Sequence, residues 1–80
     1  MKEFEEIEFD PCELPLVLKV TRILSELTQQ ELAERTATFQ HKISLYETGQ
    51  GRPFDSQLSE IFQGCGYKLT FKITKLNSYE

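Results

Sequence analysis

"LTQQELAERTATFQHKISLYETG", Leu27 to Gly49, is the stretch on which the fold turns. Thr28 followed three residues later by Glu31 is a capping box, in which each residue's side chain satisfies the other's backbone N–H. Leu32 and Ala33 supply an inward face, so the pattern predicts a short helix from Gln29 to Arg35. Thr36-Ala37-Thr38 reads as a turn. A second helix is expected from about Phe39 to Thr48, with Ile43 and Tyr46 at core spacing, and Gly49 is its left-handed stop. The polar side chains opening this second helix, Gln40, His41, Lys42 and Ser44, lie off the core spacing and need an explanation outside the core.

Upstream, "DPCE" offers Asp10 as a cap, Pro11 at a first helical position and Glu13 to close a capping box. A helix is predicted over about 11–25. Pro15 removes one early N–H, so the regular helix kinks there or effectively begins at Leu14. At about 100° per residue, Leu14, Val17, Leu18, Thr21 and Leu24 share one side of this helix. Leu16, Val20 and Ile23 share the opposite side, with Lys19, Arg22 and Glu26 on a flank. A helix with two apolar stripes needs a cover for the second. The candidates are the Ile7/Phe9 segment, a second subunit or a partner protein. "EIEF", Glu6 to Phe9, alternates and is compatible with a short strand.

Downstream, "GQGRP" is a loop, and a helix is expected over about Asp55 to Cys65, with Leu58, Ile61 and Phe62 inward and Gly66 ending it. "YKLTFKI" then alternates, with Tyr67, Leu69, Phe71 and Ile73 on one face. A β-strand is predicted over 67–74. It needs a partner for its backbone groups. Either the acidic Glu3–Phe9 segment pairs with it, setting Glu against Lys, or the same strand of a second copy does. Residues 1–10 thus form an acidic arm or short strand, 11–66 a helical domain, 67–74 a strand and 75–80 a tail. The fold class is mainly α, with four to five helices and this C-terminal strand.

The chain has 80 residues and a net charge of −4. That is one small domain with a marginal core, which partners binding only the folded form would stabilise. No apolar run approaches the roughly 20 residues of a membrane span, and no signal peptide is recognisable, so a cytoplasmic protein is expected. Cys12 and Cys65 make no disulfide framework, and neither has a His or Cys at metal-ligand spacing. Residues 1–13 hold six acids and one base, a charge of −5, which leaves +1 for residues 14–80. Salt screens charges beyond about 8–10 Å, so an acidic arm is compatible with a local basic face elsewhere.

A helix, a short turn and a second helix, flanked by two more, suit the DNA major groove, which is about 12 Å wide and admits one α-helix. The first helix of the pair crosses the backbone and the second presents its N-terminal side chains to base edges. Gln makes bidentate contacts to adenine, and Lys favours guanine or phosphate. Gln29 stands where a helix N-terminus favours a phosphate. "LTQQELAERT…IS.YE.G", followed by "P…L..I", a Gly and an alternating tail, resembles the Cro/phage-repressor (xenobiotic-response-element) helix-turn-helix family over about residues 14–66. The "DP…L" lead and the strand after the last helix are similar to HipB-type antitoxins. The resemblance implies a lambda-repressor-like domain and a trailing strand paired across a homodimer. It also implies a HipA-type kinase toxin as partner. By position it further implies a phosphate contact at Gln29, base contacts at Gln40 and His41, and neighbouring contacts at Lys42 and Ser44. Arg22 and Glu47 fall on a pair that forms a salt bridge. Arg52, in the loop, is a further candidate DNA contact. Leu16, Val20, Ile23, Tyr67, Leu69, Phe71 and Ile73 are candidates for a dimer or partner interface.

The chain departs from the family at the turn. The family has Gly at position 37, an apolar residue at 38 and a small polar cap at 39, where this chain has Ala37, Thr38 and Phe39. Phe54-Asp55 shows a similar exchange. Thr38 caps the helix if the turn is one residue shorter. Otherwise Phe39 points toward the groove, within reach of a thymine methyl, or packs inward. The leading expectation is a dimeric autorepressor reading a palindrome, with an antitoxin role implied by the resemblance. The alternatives are a free-standing or phage repressor, or an interaction module that kept the fold and lost DNA binding. One His, no Cys–His pairing and no Gly-rich phosphate loop argue against an enzyme, and no cofactor or metal is expected.

Overall fold

The computed structural model describes residues 4–77, so the ends of the expected arm (1–3) and tail (78–80) lie outside the described residues. A 3₁₀ turn, Pro11–Glu13, leads into four helices: α1 Leu14–Leu24, α2 Gln29–Arg35, α3 Gln40–Glu47 and α4 Asp55–Gly64. No helix among the described residues is long and apolar enough to cross a membrane.

Pro11 and Pro15 explain the split entrance to α1. Neither can donate an early helical N–H bond, so the chain makes a 3₁₀ turn first and the regular helix starts at Leu14. The Glu13 carboxylate accepts the Asp10 amide at 2.8 Å, which anchors that turn. At α2 the capping box is closed both ways: Glu31 N–H donates to Thr28 Oγ1 at 3.0 Å and Thr28 N–H donates to Glu31 Oε1 at 2.8 Å. Those hydrogen bonds from Thr28, backbone first and then side chain, lower the pKa of Glu31 from its ordinary 4.5.

All four helices end in one way. The residue after the C-cap is left-handed, and the next amide reaches back to the last turn. Leu27 N–H bonds Arg22 O around Glu26 (φ 60°), and Thr38 N–H bonds Ala33 O around Ala37 (φ 55°). Gln50 N–H bonds Leu45 O around Gly49 (φ 78°), and Tyr67 N–H bonds Phe62 O around Gly66 (φ 90°). Two of these four positions carry a side chain in a conformation that suits glycine.

The core is Leu18, Leu27, Leu32, Ala33, Ile43, Leu58, Ile61, Phe62 and Cys65, drawn from every helix. Each large aliphatic among them contributes about 1.5–3 kcal/mol on burial. Helices α2 and α4 approach so closely that a Cβ on Gly64 would stand 2.6 Å from Thr36 Cγ2 and 3.0 Å from Leu32 Cδ1. Burial pushes the Cys65 thiol up to about 11, so it stays protonated at neutral pH. Thr21 is buried in α1, and its hydroxyl has no hydrogen-bond partner among the described residues.

Two expectations fail at the ends of the chain. Neither "EIEF" nor residues 67–74 forms a strand among the described residues. The arm and the tail do run side by side in the same direction, with Phe4 against Tyr67 and Glu8 against Lys72. A ring contact joins them. Tyr67 stacks on Phe4 with centroids 4.5 Å apart and donates its hydroxyl to Phe4 O at 2.8 Å. No ladder accompanies these contacts among the described residues, so the two segments meet through side chains. The expected Glu–Lys pairing survives only as an exposed contact at 3.4 Å between Lys72 and Glu8, worth about 0–1 kcal/mol.

Among the described residues nothing buries the second stripe of α1 either. Leu16, Val20 and Ile23 remain exposed. The arm lies instead beside Val17, Thr21 and Phe62, where it and the tail flank an open cleft of about 1090 Å³. Among the interface candidates in the tail, Tyr67 and Leu69 pack on the chain's own core, whereas Phe71 and Ile73 project into solvent.

Candidate functional site

The start of α3 is held by a chain of polar contacts that begins on α1. Arg22 grips Glu47 with two prongs, Nε to Oε2 at 2.6 Å and Nη2 to Oε1 at 3.0 Å, and its Nη1 donates to Leu27 O at 2.8 Å. The side chain of Glu47 is 2 % exposed and that of Arg22 11 %, so this pair is shielded from water and from salt. Glu47 Oε1 also accepts Gln29 Nε2 at 3.1 Å. Gln29 Oε1 in turn accepts Gln40 Nε2 at 2.7 Å. Four side chains from α1, α2 and both ends of α3 thus form one continuous path.

The path fixes the orientation of both amides. The oxygen and one N–H of Gln29 are committed, so it is first of all a positioning residue for Gln40, and only its remaining N–H is available to a phosphate. Gln40 is exposed, and its carboxamide oxygen has no hydrogen-bond partner among the described residues. An amide held by one hydrogen presents its other edge in a defined direction, which is what bidentate recognition of a base requires.

Beside Gln40, His41 and Lys42 are exposed, and Lys42 has no ion-pair partner among the described residues. Ser44 is half-buried, and its carbonyl accepts both the amide and the hydroxyl of Thr48. Arg52 is exposed beyond the end of α3. It lines a cavity of about 200 Å³ with Pro11, Cys12, Pro15 and Tyr46, away from the N-terminal turn of α3. Gln40, His41 and Lys42 are therefore brought together, Ser44 sits behind them, and Arg52 belongs to a different part of the surface. Among the described residues the arm contacts Tyr67 and Lys72, and Gln40, His41 and Lys42 stay exposed.

The turn resolves the sequence's exchange of polarity. Thr38 does not cap α3: its Oγ1 accepts Gln57 Nε2 at 3.4 Å, and Gln57 Oε1 accepts the Tyr46 hydroxyl at 3.4 Å. These contacts tie the turn to α4. Phe39 takes the N-cap position (φ −110°, ψ 145°), where it has no oxygen to offer the helix. Its ring neither packs inward nor hides the polar residues. It is 67 % exposed, with its centroid 6.4 Å from the His41 ring. Phe54 stands at the corresponding N-cap of α4 and is likewise exposed. Sequence reasoning missed the Gln29–Gln40 bridge and the Thr38–Gln57 contact. Both join residues 11 to 19 positions apart, and no local pattern encodes them. No family model, curated protein or solved structure matches the chain.

Proposed function

We propose that the chain is a sequence-specific, double-stranded-DNA-binding transcriptional regulator built on a lambda-repressor-like helix-turn-helix domain of the Cro/phage-repressor type. The observation that supports this best is the locked pair Gln29–Gln40. It aims an exposed amide from the N-terminus of a short second helix, with His41 and Lys42 free beside it. In this reading Gln40 and His41 contact base edges, Lys42 contacts a base or phosphate, and Gln29 positions Gln40 while donating its last N–H to a phosphate. Ser44 and Arg52 take peripheral backbone contacts.

A homodimer completes the proposal. The bare stripe Leu16, Val20 and Ile23, and the unpaired tail with Phe71 and Ile73, are surfaces a second copy would cover. Two recognition helices about 34 Å apart would then read a palindromic operator in successive major grooves. The antitoxin role, with a HipA-like kinase toxin as partner and autorepression of a shared operon in the cytoplasm, extends this proposal. A free-standing repressor needs everything except that partner.

Selection of bound duplexes from a random library tests the reading. A specific complex whose affinity falls steeply with salt is expected. Gln40→Ala and Lys42→Ala together should abolish specific binding with the fold intact. Absence of any complex at low salt would overturn the reading in favour of the second one, an interaction module that has lost DNA binding. Residues 27–54 favour that module on charge, with three bases and three acids and hence no net positive charge.

A further inference from the structure

Phe39 has no task within its own chain. Its exposure rules out a core role, and its chemistry rules out a capping one, since an N-cap needs a side-chain oxygen. Ser, Thr, Asp or Asn at this position would stabilise α3, and here a large apolar ring stands in water instead. It stands beside Gln40, the exposed amide that Gln29 holds in a fixed direction, and its ring lies near that of His41 with an interplanar angle of 29°. The two rings form an apolar shelf at the edge of a polar reading surface.

In the major groove, the only apolar feature a natural base pair presents at its edge is the methyl group on C5 of a pyrimidine. Thymine carries it, and so does 5-methylcytosine. Amides and ammonium groups cannot detect it, but an aromatic ring can bury it. We propose that Phe39, with the His41 ring behind it, is a specificity-determining residue that selects a C5-methylated pyrimidine next to the base read by Gln40. This rests on the DNA-binding reading above and adds to it a contact made by no hydrogen bond.

Single-atom-group substitution in the DNA tests this on the unaltered protein. Each thymine of a selected site is replaced in turn by deoxyuridine, which removes only the methyl. At one position affinity should fall about fourfold when one half-site is changed, the worth of one buried methyl, and roughly fifteenfold when both are changed. Phe39→Ala should bind the dT and dU duplexes equally. At the same position, 5-methyl-dC should outbind dC by the same factor if the methyl is read whichever base carries it. A gap between dT and dU without one between 5-methyl-dC and dC assigns the contact to thymine alone. Equal binding of dT and dU duplexes at every position, while Gln40→Ala still loses binding, overturns the role of Phe39 and leaves the regulator standing. A protein that binds no duplex at low salt overturns both.

Discussion

Helices α2 and α3 are separated by only four residues, 36–39, yet their first turns are built on opposite principles. The start of α2 is self-sufficient: Thr28 and Glu31 satisfy each other's amides within one turn. The start of α3 has no cap of its own and is held from outside, by Gln29 on Gln40 and by Gln57 on the adjoining Thr38. The difference teaches that a helix start whose polar side chains face solvent does not spend them on its own backbone. Its order has to be imported from neighbouring elements.

Removing the imported support should have the largest effect. Arg22→Ala leaves the Glu47 carboxylate buried without its cation, which costs about 3–5 kcal/mol. In a domain this small that lowers the melting temperature by more than about 12 °C. Thermal unfolding followed by circular dichroism checks it. Replacing the pair together, Arg22→Met with Glu47→Leu, should recover most of the loss, because no charge is then stranded. Equal destabilisation by the single and double variants would show that the polar path, rather than the ion pair, carries the stability.

Breaking the local support should cost less. Thr28→Ala removes the cap of α2 at about 1 kcal/mol, a melting shift of roughly 4–8 °C. The part due to Glu31 has a sign in pH. Its pKa is lower folded than unfolded, so its contribution is present above the ordinary 4.5 and is lost as pH falls through the folded value. A wild-type melting curve that loses its advantage over Thr28→Ala in acid would sharpen the contrast between the two helix starts. At α3, Phe39→Ser should shift stability the other way, upward by about 0.5 kcal/mol, by supplying a missing cap.

Between the two helices, Ala37→Gly should also stabilise, by about 0.5–1 kcal/mol, because Ala37 is held at φ 55° where a Cβ is strained. Chemical denaturation measures this directly. The smallest effect on stability belongs to the most exposed of the linked amides. Gln40→Ala should stay within about 0.5 kcal/mol of wild type while removing selective DNA binding. A large stability loss there would mean that the amide bridge serves the fold and not the surface.

The same contrast explains what could be read in advance. Helix α2 was legible residue by residue because its capping box and its apolar face are local. Leu58, Ile61 and Phe62 were legible from spacing, and Gly49 and Gly66 from chemistry. Glu26, which turns the end of α1 left-handed, carries no such mark, since the closure around it depends on burying Leu27. Positions of Gln40, His41 and Lys42 followed from the helix pattern, whereas the orientation of Gln40 depends on a partner 11 residues away. The tail was misjudged as a strand because alternation specifies an extended backbone and says nothing of whether a neighbour stands at ladder distance. Here the arm beside it meets it through side chains, Phe4 on Tyr67 and Glu8 on Lys72, and no ladder forms among the described residues.

The missing ladder has a further consequence for colloidal behaviour. Two segments that form no ladder among the described residues, one of them carrying Phe71 and Ile73 in the open, offer a template for adding foreign strands. The run Glu5, Glu6, Glu8 and Asp10 borders that template with negative charge. A border of like charge of this kind disfavours open-ended, fibril-like stacking along such an edge, while a closed pair that brings the tail's lysines to it is compatible with it.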